Sequence, residues 1–194
     1  MIKALVFLID TFSQLYLLIL LLRFWLPLLR ANFQNPIAQG VLRYTSPLVN
    51  PVRRYVPSVG RTDTATVLLA YIIQFLSILA MLALVKIDVS AIAYARVSPN
   101  ASAGVLALMA FVKLAKLSVT MFIVAMVIRV VLNLLGRYVG AISDMLVDMT
   151  EPILRPIRRI IPPLGMFDIS TYIGIILLIA LNMALSDLMP ALVP

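Results

Sequence analysis

Thr45-Ser-Pro-Leu-Val-Asn-Pro-Val-Arg-Arg-Tyr-Val-Pro-Ser-Val-Gly-Arg-Thr-Asp63 returns 105 positions later as Thr150-Glu-Pro-Ile-Leu-Arg-Pro-Ile-Arg-Arg-Ile-Ile-Pro-Pro-Leu-Gly-Met-Phe-Asp168. Eight positions are identical: Thr45/Thr150, Pro47/Pro152, Pro51/Pro156, Arg53/Arg158, Arg54/Arg159, Pro57/Pro162, Gly60/Gly165 and Asp63/Asp168. The register holds without a gap, so the molecule is read as two copies of one unit.

Outward from each block lie long apolar runs. Ala4–Leu29, Ala65–Val85, Ala110–Leu135 and Ile169–Val193 reach the roughly 20 residues that cross a bilayer. Helix is the expected form, because an open segment in lipid can satisfy its backbone only that way. The composition agrees: 63% of residues are hydrophobic, 12% are charged and the mean hydropathy is +1.08, against about 25% charged in a soluble domain. The expected fold is an all-α membrane protein with four transmembrane helices, arranged as two parallel helix-block-helix repeats with short interfacial helices. Residues 1–86 form the first repeat, 87–109 a connecting loop and 110–194 the second repeat. Apolar residues at helical spacing place the interfacial helices in Pro36–Tyr44 and Ile142–Met149.

Two such units put both blocks on one side of the membrane. The segments carrying the blocks hold Arg30, Arg43, Arg53, Arg54, Arg61, Arg137, Arg155, Arg158 and Arg159, whereas the opposite side has Lys3, Lys86 and Arg96. The positive-inside rule then predicts cytoplasmic blocks and both termini outside. The first apolar run lacks a small-residue cleavage site and exceeds the roughly 7–15 residues of a signal-peptide core, so it is expected to be retained.

Within a block, Pro51 and Pro156 lack the amide that residue i−4 needs, which predicts a kink or a fresh helix start there. Gly60 and Gly165 suit a tight turn. Asp63 and Asp168 stand just before an apolar run with Thr66 and Thr171 three residues on, as N-caps of the next helix do. The basic residues Arg53, Arg54, Arg155, Arg158 and Arg159 lie on apolar, proline-stiffened segments suited to head-group depth, where anionic lipid or a membrane or cytoplasmic protein partner is the expected contact.

Charges also fall inside the spans. Aligning Arg23 with Arg129 sets Asp10 opposite Lys116, which predicts an intramembrane ion pair, structural or part of an ion pathway. Ser77 and Asn182 make a second polar match between the second and fourth helices. Asp144, Asp148 and Glu151 line one helical face and are read as neutralising neighbouring arginines, with a hard cation as the other option. The first block has Arg43 where the second has Asp148, and Ser46 where it has Glu151.

Cysteine and histidine are absent. That removes disulfides, thiolate and imidazole metal sites, and Ser-His or Cys-His catalysis. No metal, cofactor, nucleic-acid partner or catalytic residue is expected; a homo-oligomer is left open.

The duplicated Thr-x-Pro-x3-Pro-x-Arg-Arg-x2-Pro-x2-Gly-x2-Asp motif between apolar helices resembles the YggT family of bacterial membrane proteins, called YlmG in Gram-positive bacteria and plastids. The likeness covers nearly the whole chain. It implies plasma-membrane or thylakoid residence, with proposed roles in osmotic or ion homeostasis in Gram-negative bacteria, and in division-associated processes and haem attachment to cytochrome b6 in plastids. The functional expectation is a non-enzymatic platform for membrane assembly or homeostasis acting through the Pro-Arg blocks, with a small ion transporter or channel component in osmotic stress tolerance as the alternative.

Overall fold

A computed structural model describes residues 2–32, 34–58, 60, 62–88, 101–160 and 168–192, and among these described residues there are six helices. They are α1 (Ile2–Leu28), α2 (Pro36–Arg53), α3 (Thr64–Ile87), α4 (Ala103–Leu134), α5 (Gly140–Ile160) and α6 (Ile169–Leu192). No strand occurs among the described residues. Four helices, α1, α3, α4 and α6, are long and apolar enough to cross a membrane. Pro162 and Gly165 of the second block, and residues 89–100 of the connector, lie outside the described residues.

Local chemistry sets the helix ends. Asn35 caps α2 by accepting from the Ile37 amide at 2.9 Å, and Pro36 takes the first position, where a missing amide is harmless. Ser102 caps α4, so that helix begins at Ala103 and not at Ala110. At 32 residues it is about 48 Å long, more than the roughly 30 Å of a hydrocarbon core. The ends of α1 and α4 share one C-cap. Ala31 bonds back to the Leu26 carbonyl and Arg30 to Pro27, just as Arg137 bonds to Leu132 and Gly136 to Asn133. This Schellman pattern needs a left-handed residue; Gly136 supplies it in one copy and Arg30 in the other, each at φ 59°.

The amphipathic helices differ from expectation. Both run longer than Pro36–Tyr44 and Ile142–Met149, and α2 passes unbroken through Pro47 and Pro51, as α5 does through Pro152 and Pro156. A spacing of four keeps each proline pair on one face, and all four side chains are exposed. The carbonyls left without donors therefore face outward, where water or head groups serve them. On the opposite face Thr45, Val49, Thr150 and Leu154 are completely buried, and this packing offsets the loss of about 3 kcal/mol that an interior proline brings.

The bundle assembles as two hairpins, α1 on α3 and α4 on α6, joined chiefly through α3 and α4. Leu17, Leu20, Leu21, Ala70, Met121 and Phe122 share one core; Val6, Ile78, Met81, Val85 and Met109 share the other. Trp25 meets Phe122 edge-on at 4.9 Å, and the Tyr71 hydroxyl donates to the Ala107 carbonyl at 3.0 Å. Gly174 lets α6 approach α5, since a Cβ there would stand 3.1 Å from Leu154 Cδ2. Across the end of the bundle, α2 packs on α1 and α3 while α5 packs on α4 and α6. The two also touch: Asn35 Nδ2 donates to the Ala141 carbonyl at 2.6 Å, and the Asn32 amide donates to Asp148 at 2.9 Å. Both Pro-Arg blocks thus occupy the same end.

Candidate functional site

Arg23 sits near the end of α1, 3% exposed. A charge taken out of water needs partners, and the first block supplies them. Nη1 donates to Thr45 Oγ1 at 2.8 Å, to Ser46 Oγ at 3.2 Å and to the Leu42 carbonyl at 3.3 Å; Nε lies 3.4 Å from Asp63 Oδ2. Arg53, at the last turn of α2, donates to the same Asp63 oxygen. Asp63 in turn accepts from the Thr66 amide at 3.4 Å and so caps α3. Burial alone would raise the Asp63 carboxyl, but hydrogen bonding from Thr66 and the Arg53 guanidinium outweigh it and hold the group below the ordinary carboxylate range. One carboxylate ties α1, α2 and α3 together.

The second block repeats the plan. Arg129 of α4 donates to Thr150 Oγ1, and Arg158 donates to Asp168, which also accepts from the Thr171 hydroxyl at 2.9 Å. Burial again works to raise Asp168, and Arg158 and Thr171 bring it below the usual value. Glu151 adds a link with no counterpart in the first block. It accepts from Arg158 at 2.9 and 3.0 Å and stands 3.5 Å from Arg129.

Threonine, the first arginine of each pair and aspartate therefore form the internal lock. The second arginine does something else. Successive helical residues point about 100° apart, so Arg53 turns toward Asp63 while Arg54 faces outward, and Arg158 is engaged while Arg159 is exposed. Arg155 is exposed one turn before Arg159. Pro47, Pro51, Pro152 and Pro156 share this outer face. Gly60 takes a left-handed φ of 59° in the turn before Asp63, which explains glycine there.

The intramembrane residues are rearranged relative to the sequence reading. Asp10 pairs with Lys113 at 3.9 Å and accepts from Gln14 at 2.7 Å; its expected partner was Lys116, one turn along. Lys116 lies on the side of α4 that meets α6, where Asn182 Nδ2 approaches its carbonyl at 3.4 Å and Thr120 Oγ1 at 2.9 Å. Ser77 bonds within α3 to Gln74 and not to Asn182. The carboxylates of α5 serve separate partners: Tyr138 for Asp144, the Asn32 amide for Asp148 and the two arginines for Glu151.

Arg23 and Arg129 are the residues that sequence reasoning did not join to the blocks. Their signal was spacing: each precedes its threonine by 22 and 21 residues, respectively, at the end of an otherwise apolar run.

Most of the chain matches a known family. The CCB3/YggT family matches residues 2–84 and 108–189. The chain belongs to this family. Among YggT relatives, the uncharacterized protein YggT of Escherichia coli is 30% identical over 190 residues, covering 97% of this chain and 93% of its own length. An uncharacterized protein encoded in the proC 3′ region of Vibrio alginolyticus is 34% identical over 182 residues, 94% of this chain and 93% of the relative. An uncharacterized protein of Haemophilus influenzae is 32% identical over 184 residues, 95% and 92% respectively. No solved structure matches significantly.

Proposed function

We propose that this YggT-family protein is a non-enzymatic inner-membrane platform, whose paired amphipathic helices lie at the cytoplasmic head groups and support membrane assembly or homeostasis by holding anionic lipid and a protein partner. The observation that carries this reading is the division of labour within each block. Arg53 and Arg158 are bound inward, while Arg54, Arg155 and Arg159 stand exposed on the proline face of helices that occupy one end of the bundle. Rigid helices presenting guanidinium groups suit phosphate-bearing surfaces.

The transporter reading, a component of ion uptake under osmotic stress, needs polar groups along a path. Those inside the spans are instead satisfied in short local sets: Gln74 with Ser77, Asn182 with Thr120, Asp10 with Gln14 and Lys113. The cavity between α1, α3 and α4 is lined mainly by Leu20, Leu21, Phe24, Val67 and Leu114. Ion flux into liposomes carrying the purified, folded protein separates the two. The platform predicts flux equal to protein-free liposomes. Flux that Asp10→Asn abolishes would replace it with the transporter.

A further inference from the structure

The two ionic clusters share a plan but not a charge balance. Around the second, Arg129 and Arg158 face Glu151 and Asp168, two cations against two carboxylates. Around the first, Arg23, Arg30 and Arg53 border a single carboxylate, Asp63, a net charge of +2. Two exchanges produce the difference. Ser46 stands where Glu151 stands, 3.2 Å from Arg23 Nη1, and offers a hydroxyl in place of a charge. Arg30 stands at the left-handed C-cap that Gly136 fills in the other copy, both at φ 59°. A non-glycine residue is strained there, and strain of this kind is kept where the side chain is needed.

The Arg30 exchange opens onto a cleft of about 630 Å³, lined by Arg23, Arg30, Arg53, Ser58, Gly60 and Asp63, and Ser46 stands behind it, bonded to Arg23 and to the carbonyl of Leu42, two of its lining residues. That size is within the roughly 300–1,000 Å³ of small-ligand sites. Nε and Nη1 of the buried Arg23 are committed to protein acceptors, and no described residue accepts from Nη2. Arg30 also borders a second cleft, with Asp148, Glu151 and Arg155, but forms no ion pair with either carboxylate among the described residues.

The geometry points to a phosphate-binding site in this cleft: an external phosphate group, carried by a phospholipid head or free in solution, takes the place that the Glu151 carboxylate holds in the second copy. Arg30 and Arg53 bind it from the open side, and Arg23 supplies Nη2 from below. Guanidinium groups recognise tetrahedral oxyanions through paired N–H donors. The cleft begins at Pro27, in the last turn of the apolar helix α1, a place that suits a head-group phosphate. The site is separate from the outward arginines, so it stands or falls independently of the platform.

The test uses the full-length protein in neutral detergent. Inorganic phosphate is titrated by thermal shift, and retained phosphatidylglycerol is counted by native mass spectrometry. Saturable binding is expected in the wild type. Ser46→Glu, which builds in the carboxylate, and Arg30→Gly, which restores the residue the C-cap prefers, should each weaken it at least tenfold, while Lys86→Glu, exposed at the far end of α3, leaves it unchanged. Binding of phosphate alone assigns the free anion; retention of phosphatidylglycerol without a phosphate response assigns the lipid head. Equal binding by wild type and Arg30→Gly, or no saturable binding of either probe, overturns the site. Arg30→Gly relieves strain, so it keeps the test decisive should Ser46→Glu fail to fold.

Discussion

Arg23 and Asp63 meet at 3.4 Å with side chains only 3% and 7% exposed, so the end of α1 is tied to the start of α3 by a buried ion pair. Breaking such a pair from one side leaves the other charge stranded, at about 3–5 kcal/mol. Asp63→Asn should therefore lower the melting temperature clearly. Asp168→Asn should lower it less, because Glu151 still faces both Arg129 and Arg158. Fluorescence of Trp25, the single tryptophan, packed on Phe122, reports the transition. Equal melting of the two variants would show that Glu151 carries none of the load.

Adjacent arginines in each block should separate by function. Arg158→Ala removes charge-assisted bonds to Glu151 and Asp168 and is expected to destabilise by about 1–3 kcal/mol. Arg53→Ala acts in the same direction. Arg54→Ala and Arg159→Ala should stay within about 0.5 kcal/mol of wild type, as exposed substitutions do. Thermal denaturation of the four single variants checks this, and a stability loss in Arg54→Ala equal to that in Arg53→Ala would contradict the division of labour.

Four spans, amphipathic segments and aspartate caps were legible in the sequence, because hydropathy and capping act through neighbours in the chain. A fresh helix start, one of the two outcomes expected at the prolines, does not occur: their spacing was visible, but not that both pairs fall on an exposed face whose opposite side holds residues such as Thr45 and Val49 in the core. Arg53 and Arg54 read as one basic patch because sequence adjacency hides the rotation between them. The choice of Lys113 over Lys116 depends on which face of α4 meets α1, and that is fixed by tertiary packing. The Thr45–Arg23 contact spans 22 residues, beyond any local pattern.

Asp10 supplies a direct test of that packing. In Asp10→Lys the introduced ammonium confronts that of Lys113, at positions whose wild-type side chains are 34% and 18% exposed, so repulsion should lower stability. Lys113→Asp should restore part of it; Lys116→Asp should restore less. The coupling energies from the two double-mutant cycles decide the matter. Equal rescue by both lysine positions would return the pair to depth alone and remove the face argument.

Acid should find the two capping aspartates last. Asp63 and Asp168 are both held below the ordinary carboxylate value, which is about 3.9 for aspartate. A depressed folded-state pKa means that the unfolded chain binds the proton first, so the stabilisation is fully present above about pH 4 and disappears as pH falls through the folded values. The melting temperature contributed by these groups should be level from pH 7 to about pH 4 and decline below it. Asp63→Asn combined with Asp168→Asn should start from a lower plateau and show a shallower acid decline, because neither position then takes up a proton on unfolding. A double variant that keeps the wild-type acid slope would place the acid sensitivity elsewhere and deny the aspartates their part in locking the blocks to the spans.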